Sequence, residues 1–235
     1  MEYRFVDCRW ALEDPPSGRR AYLDAHIPGA VFLDLDLDLS AAPGAGGRHP
    51  LPSAEAFAEA ASRAGIGPGT FVIAYGSPGA ERLWWLLRHF GHEDCAVLDL
   101  EAWHGPLVGG EEQAEPATFV PRERADDTIS LEELAERRGD HVVVDARAES
   151  RWRGEPNPID RVPGRIPGSI NVPWGTIGES TRELPPGDLV AYCGSGVSAC
   201  VVLHRLQLAG RDGRLYPGSW SEWEQYPELP VERST

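Results

Sequence analysis

Cys193-Gly194-Ser195-Gly196-Val197-Ser198 is the stretch that decides the reading. Asp188-Leu189-Val190-Ala191-Tyr192 precedes it, a short apolar run with the character of a buried strand. Ala199 to Ala209 follows, a helix stopped by Gly210. A cysteine thus sits where a strand ends and a helix begins, with glycines at alternate positions after it. Glycine lets such a turn close into a tight arc of backbone N–H groups. The helix start adds its own unpaired N–H groups and the positive end of its dipole. An anion belongs there, and the sequence supplies one as the thiolate of Cys193, since helix N-termini and nearby cations favour the ionised thiol. The competing reading is a small buried residue at a strand end.

Working outward, the same order of landmarks occurs twice. Phe5-Val6-Asp7-Cys8-Arg9 and Val143-Val144-Asp145-Ala146-Arg147 are apolar strands ending in Asp-x-Arg. His26-Ile27-Pro28-Gly29-Ala30 and Arg165-Ile166-Pro167-Gly168-Ser169 follow, with Asp-to-Ile separations of 20 and 21 residues. Then come strands 71–75 and 189–192, helices 80–90 and 198–209, a last short strand and a tryptophan segment in each half. Four landmarks in one order are a duplication, and strands alternating with helices imply parallel α/β sheets. The expected division is 1–108, a linker over 109–127, and 128–235. Ser130 is the expected N-cap of a helix over 131–138, with Glu133 at the capping-box position. In the first half, Tyr75 or Gly76 falls opposite Cys193, so one reactive site per chain is expected.

The composition is that of an ordinary globular domain pair: 235 residues, 41% hydrophobic and 25% charged. Lys and Arg number 22 against 37 Asp and Glu, a net charge of −15. That balance excludes nucleic acid and anionic membranes as expected partners. No apolar run is long enough to span a bilayer and no signal peptide is read at the N-terminus. The four cysteines, Cys8, Cys95, Cys193 and Cys200, form no C-x-x-C pair, so neither a disulfide framework nor a zinc site is expected, and a reducing cytoplasmic setting is. Cys200, two helical turns beyond Cys193, is expected to pack in the core.

Taken jointly, these motifs resemble the tandem-domain sulfurtransferases of the rhodanese family. The likeness spans nearly the whole chain and rests on Asp145-Ala146-Arg147, Arg151-Trp152, Ile166 to Trp174, Cys193 to Ala199, Gly218 to Trp223, His26 to Ala30 and Gly47 to Pro52. It implies an α/β fold of two rhodanese-like domains, each a mainly parallel sheet flanked by helices, with only the second catalytic. It implies that Cys193 takes up sulfur as a persulfide, with the amides of Gly194, Gly196, Val197 and Ser198 around it. Loops reading Cys-Gly-Ser-Gly-Val are similar to those of 3-mercaptopyruvate sulfurtransferases, whereas thiosulfate enzymes carry basic residues after the cysteine. By resemblance Arg151 and Arg161 hold the donor's anionic end, and Ser195, His49 and Asp36 form a proton relay across the cleft between domains. The alternatives are an ion pair of Arg151 with Glu155 and a solvated Arg161. Arg147 is expected to be structural. Asp34, Asp36 and Asp38 alternate with leucines as on a half-buried strand, and the sequence does not select which of them meets His49. The partners implied are a small anionic sulfur donor and an acceptor thiol, such as a thioredoxin-like protein, or cyanide. No metal or organic cofactor is implied.

Three departures from the family pattern stand out. Arg165 replaces a usual histidine, residues 94–105 lack a double glycine, and only 175–186 separates Trp174 from the catalytic strand. A cysteine phosphatase would need arginine at 199, where Ala199 stands.

Overall fold

In the computed structural model, residues 2–177 and 183–234 are described. The chain forms two compact units: Met1–Ala41 with Leu51–Arg124, and Ala42–Pro50 with Ala125–Thr235. Residues 42–50 therefore belong to the second unit, although they lie between elements of the first in sequence.

Unit 1 is built on β1 (Glu2–Asp7), β2 (Val31–Phe32), β3 (Thr70–Tyr75) and β4 (Cys95–Leu98), in the order β2-β1-β3-β4, all parallel. Its helices are α1 (Ser17–Asp24), α2 (Ala54–Arg63) and α3 (Gly79–His89). Unit 2 repeats this with β5 (Val142–Asp145), β6 (Ile170–Asn171), β7 (Leu189–Tyr192) and β8 (Arg214–Leu215), in the order β6-β5-β7-β8, again parallel. Its helices are α4 (Leu131–Arg137), α5 (Glu149–Arg153), α6 (Ala199–Leu208) and α7 (Ser219–Trp223). Ser130 caps α4 by accepting from the Glu133 N–H. The Glu133 carboxylate accepts from Arg214 at 3.0 Å.

Register decides the alignment of the two copies. Asp7 pairs with Tyr75 and Asp145 with Tyr192. The Tyr75 hydroxyl accepts from the Ile27 N–H, and the Tyr192 hydroxyl from the Ile166 N–H. Tyr75 thus matches Tyr192, and Gly76 stands where Cys193 does. In both copies the arginine of Asp-x-Arg folds back onto its aspartate and reaches a loop carbonyl, Arg9 to Ala25 and Arg147 to Gly164. Arg147 is fully buried, lies 4.7 Å over the Trp220 ring and is structural as expected. Removing one partner from such a buried pair costs about 3–5 kcal/mol.

The Arg165 departure has a packing cause. His26 stacks on Tyr22 in unit 1, with ring centroids 4.3 Å apart. Arg165 lies 4.0 Å over Trp152 in unit 2 and pairs with Glu232, so the larger ring is matched by a longer planar cation.

The Leu33–Leu39 stretch is not the half-buried strand expected from its alternation. It is a turn after β2, with Leu33, Leu35 and Leu39 buried and Leu37 exposed. The aspartates cause this: Asp34 Oδ1 accepts from the N–H groups of Asp36 and Leu37, and Asp38 Oδ2 from that of Asp34. Short acidic side chains compete in this way with sheet pairing.

The stretch expected as a linker is largely bonded to unit 1. Gly110, Ala117, Arg122 and Arg124 donate to the carbonyls of Leu23, Ser62, Phe90 and His89, and Phe119 packs edge-on to Phe57. The expected shortening within 175–186 falls partly on 178–182, outside the described residues. Among the described residues, no helix is long and apolar enough to cross a membrane.

Candidate active site

Cys193 is the first residue beyond β7, and the turn runs to Ser198 before α6 begins. Three contacts pin the turn from behind. The Cys193 N–H donates to Ser219 Oγ at 3.1 Å. The carbonyls of Cys193 and Gly194 accept from the N–H groups of Trp220 and Ser221. Gly196 has φ +78°, and a Cβ there would stand 2.4 Å from the Pro217 carbonyl oxygen, so only glycine fits without displacement.

With its carbonyls used in this way, the turn keeps amide donors available. Among the described residues, the N–H groups of Gly194, Ser195, Val197 and Ser198 meet no acceptor. Successive unpaired amides ahead of a ten-residue helix make an anion-binding concavity. Cys193 itself is 2% exposed.

His49 Nδ1 lies 2.7 Å from Ser195 Oγ, and both residues are buried. These two expected site residues are therefore together, 146 positions apart in the chain. The Gly47–His49 segment is fixed to the same unit: the Arg48 N–H donates to Ser221 Oγ at 2.9 Å.

Arg151 on α5 is clamped by Asp160, Nε to Oδ2 at 2.9 Å and Nη2 to Oδ1 at 2.5 Å. The ion pair weighed with Glu155 is thus made with Asp160 instead. Burial alone would raise the Asp160 carboxyl, but the Arg151 and Arg147 guanidiniums outweigh it and hold it below the usual carboxylate range. Arg151 still reaches the turn. A Cβ on Gly194 would stand 3.0 Å from an Nη2 of both Arg151 and Arg48. Arg161 is exposed and is not among the atoms nearest that point.

Asp36 lies in unit 1, where its carboxylate accepts from Trp10 Nε1 at 3.1 Å. Cys200 Sγ lies 3.3 Å from the Gly196 carbonyl oxygen, in the core as expected. Burial raises the Cys8 thiol well above its ordinary value and pushes Cys95 up to about 12, so both are poor thiolates. Among the described residues, no cluster of His, Cys, Asp and Glu is arranged to hold a metal.

Sequence reasoning missed Arg48 as a neighbour of the turn. The signal was a lone cation beside His49 in a Gly/Pro-rich segment with no helix or strand to present it to solvent.

Residues 1–105 and 130–226 each match the model of the rhodanese-like domain. The chain belongs to the rhodanese family. It is 41% identical to a Pseudomonas aeruginosa protein named "Probable 3-mercaptopyruvate sulfurtransferase", over 96% of this chain and 90% of that one. It is 30% identical to thiosulfate/3-mercaptopyruvate sulfurtransferase 2 of Arabidopsis thaliana, over 98% of this chain and 82% of that protein. The solved 3-mercaptopyruvate sulfurtransferase from Leishmania major superposes with a TM-score of 0.86 at 27% identity, covering 98% of this chain and 72% of that chain. This rhodanese-family chain is a sulfurtransferase.

Proposed function

We propose that the chain carries sulfur from 3-mercaptopyruvate through a persulfide on Cys193 to a thiol, such as a thioredoxin-like dithiol, or to cyanide. The Cys193 thiolate attacks the donor's sulfur. The carbon–sulfur bond breaks and its electron pair enters the enolate of pyruvate. The proton from the donor's thiol ends on the enolate carbon, leaving pyruvate and an anionic persulfide. An acceptor thiolate or cyanide then takes the outer sulfur and returns the Cys193 thiolate.

The net chemistry moves one proton from sulfur to carbon, and histidine is suited to that near neutral pH. The observation that carries the reading is the 2.7 Å contact of His49 with Ser195, inside the turn that bears the cysteine. Asp36 is retained as the relay's acid in this proposal on the family resemblance; its carboxylate also accepts from Trp10 Nε1. The amides of Gly194, Gly196, Val197 and Ser198 stabilise the anionic sulfur, with energies strengthened by exclusion of water. Arg151 takes the donor carboxylate, since a planar fork of N–H donors matches it; the family resemblance offers Arg161 as its companion, which is exposed here.

A second donor has support of its own. Two guanidiniums at Gly194 also suit the sulfonate of thiosulfate. Turnover of each donor with cyanide, together with intact mass after donor treatment, tests both readings. The expected result is higher kcat/KM on 3-mercaptopyruvate and a mass gain of one sulfur that Cys193→Ser removes. A wide margin for thiosulfate would reverse the donor assignment.

A further inference from the structure

We infer that Arg48 supplies the second guanidinium that grips the donor's anionic end, facing Arg151 across Gly194. The inference rests on the sulfur-transfer reading and specifies which residue selects the donor.

Arg151 is partly committed in advance, since one edge of its guanidinium, Nε with Nη2, engages Asp160. Arg48 is not. It forms no ion pair among the described residues, and its Nε is buried without a hydrogen-bond partner. Burial and the like charge of Arg151 both pull its pKa down from the usual arginine value, so the cation sits at a cost. A half-buried cation without a contacting ion-pair partner is stabilised by an anion that arrives beside it.

The backbone under Arg48 is fixed as well. Gly47 has φ +97°, and a Cβ on it would come within 2.7 Å of Gly218 O and Ser221 Oγ. Arg48 donates its own N–H to Ser221 Oγ, and the next residue touches Ser195. The guanidinium therefore enters from a rigid tether. Gly194 is part of the same device, since any side chain there would meet both arginines at 3.0 Å. The ligand chemistry is a small fork of oxygens close to a transferable sulfur: the carboxylate of a 2-oxo acid or a sulfonate. A loop without a cation of its own obtains one from residue 48.

Pyruvate, the product anion, probes this without turnover. Isothermal titration with pyruvate, and separately with sulfite, is carried out on the full chain as wild type, Arg48→Gln, Arg48→Met and Arg153→Gln, the last an exposed arginine paired with Glu149. A charge-assisted hydrogen bond is worth about 1.5–3 kcal/mol, so loss of pyruvate affinity by about 10- to 100-fold is expected for Arg48→Gln. Arg48→Met gives the same loss, and Arg153→Gln stays within about twofold of wild type. For the donor, KM rises and kcat changes far less. Retained affinity in either folded Arg48 variant overturns the inference. So does a larger loss in Arg161→Gln, or a wild type that binds neither anion. Wild-type turnover is scored separately: an active enzyme with unchanged Arg48 variants sinks this inference alone, and an inactive wild type sinks the sulfur-transfer reading alone.

Discussion

The two strand-to-helix turns start from the same register and end differently. In unit 1, Gly76, Ser77 and Pro78 carry the chain from β3 to α3. In unit 2, six residues, Cys193 to Ser198, carry it from β7 to α6. The short turn presses its helix onto the residue just past β1: a Cβ on Gly79 would stand 2.1 Å from the Cys8 carbonyl oxygen. The long turn leaves amides unpaired and lets two arginines approach. Asp-x-Arg and the tyrosine hydroxyl bond are common to both copies, so they serve the fold. Three additional residues and a cysteine distinguish the turn of unit 2.

The largest effect expected is from Cys193→Ser, with complete loss of turnover and of donor-dependent sulfur uptake, read by intact mass. The reciprocal test puts a thiol on the short turn. Gly76→Cys in the Cys193→Ser background takes up no sulfur, because Gly76 has φ +93° and a Cβ there meets Arg9 N at 2.6 Å. A sulfur adduct at 76 would break the comparison.

Next is His49→Ala. A positioned acid–base group contributes about 10²–10⁴-fold, so kcat on 3-mercaptopyruvate falls by that range. Cyanide discharge of a preformed persulfide needs no such proton and changes little. Equal loss in both half-reactions would remove His49 from the proton path.

Asp160→Asn is expected to cost about 3 kcal/mol of stability, read from urea midpoints, because Arg151 loses its charge partner and Arg147 keeps only Asp145. The sign with pH follows from the depressed carboxyl. Its contribution is present above the ordinary aspartate value of about 3.9 and fades as pH falls through the lower folded value. Wild type therefore loses more stability on acidification than Asp160→Asn does.

Gly76→Ala has the smallest effect on turnover. Left-handed backbone in a non-glycine residue costs about 1–3 kcal/mol, and the 2.6 Å approach of its Cβ to Arg9 N adds to that, so Tm falls while kcat per folded molecule is unchanged.

Much of this was legible in the chain. Apolar runs closed by Gly and Pro gave the strands and helices, and two copies checked each other, as with Tyr75 and Tyr192. The turn at 193 was legible because glycine spacing carries backbone geometry directly. The Asp34–Asp38 turn was not, since hydrogen bonds from acidic side chains overrode the alternation. Arg48 was not either, because nothing in local spacing announces a contact with Gly194, and the role implied for Arg161 rested on spacing already displaced by one residue. The acid weighed for Arg151 was Glu155, whereas the structure pairs it with Asp160, five residues further on, where only the path of the loop brings it into reach.

Residues 42–50 have a consequence for how this gene can be divided. A fragment beginning at 125 carries the nucleophile but neither His49 nor Arg48. Under the proposed roles, fission at the midpoint separates the cysteine from its proton carrier and its anion clamp, so the halves would not serve as independent modules. Supplying the 42–50 peptide in trans is the minimal complementation such a split would require.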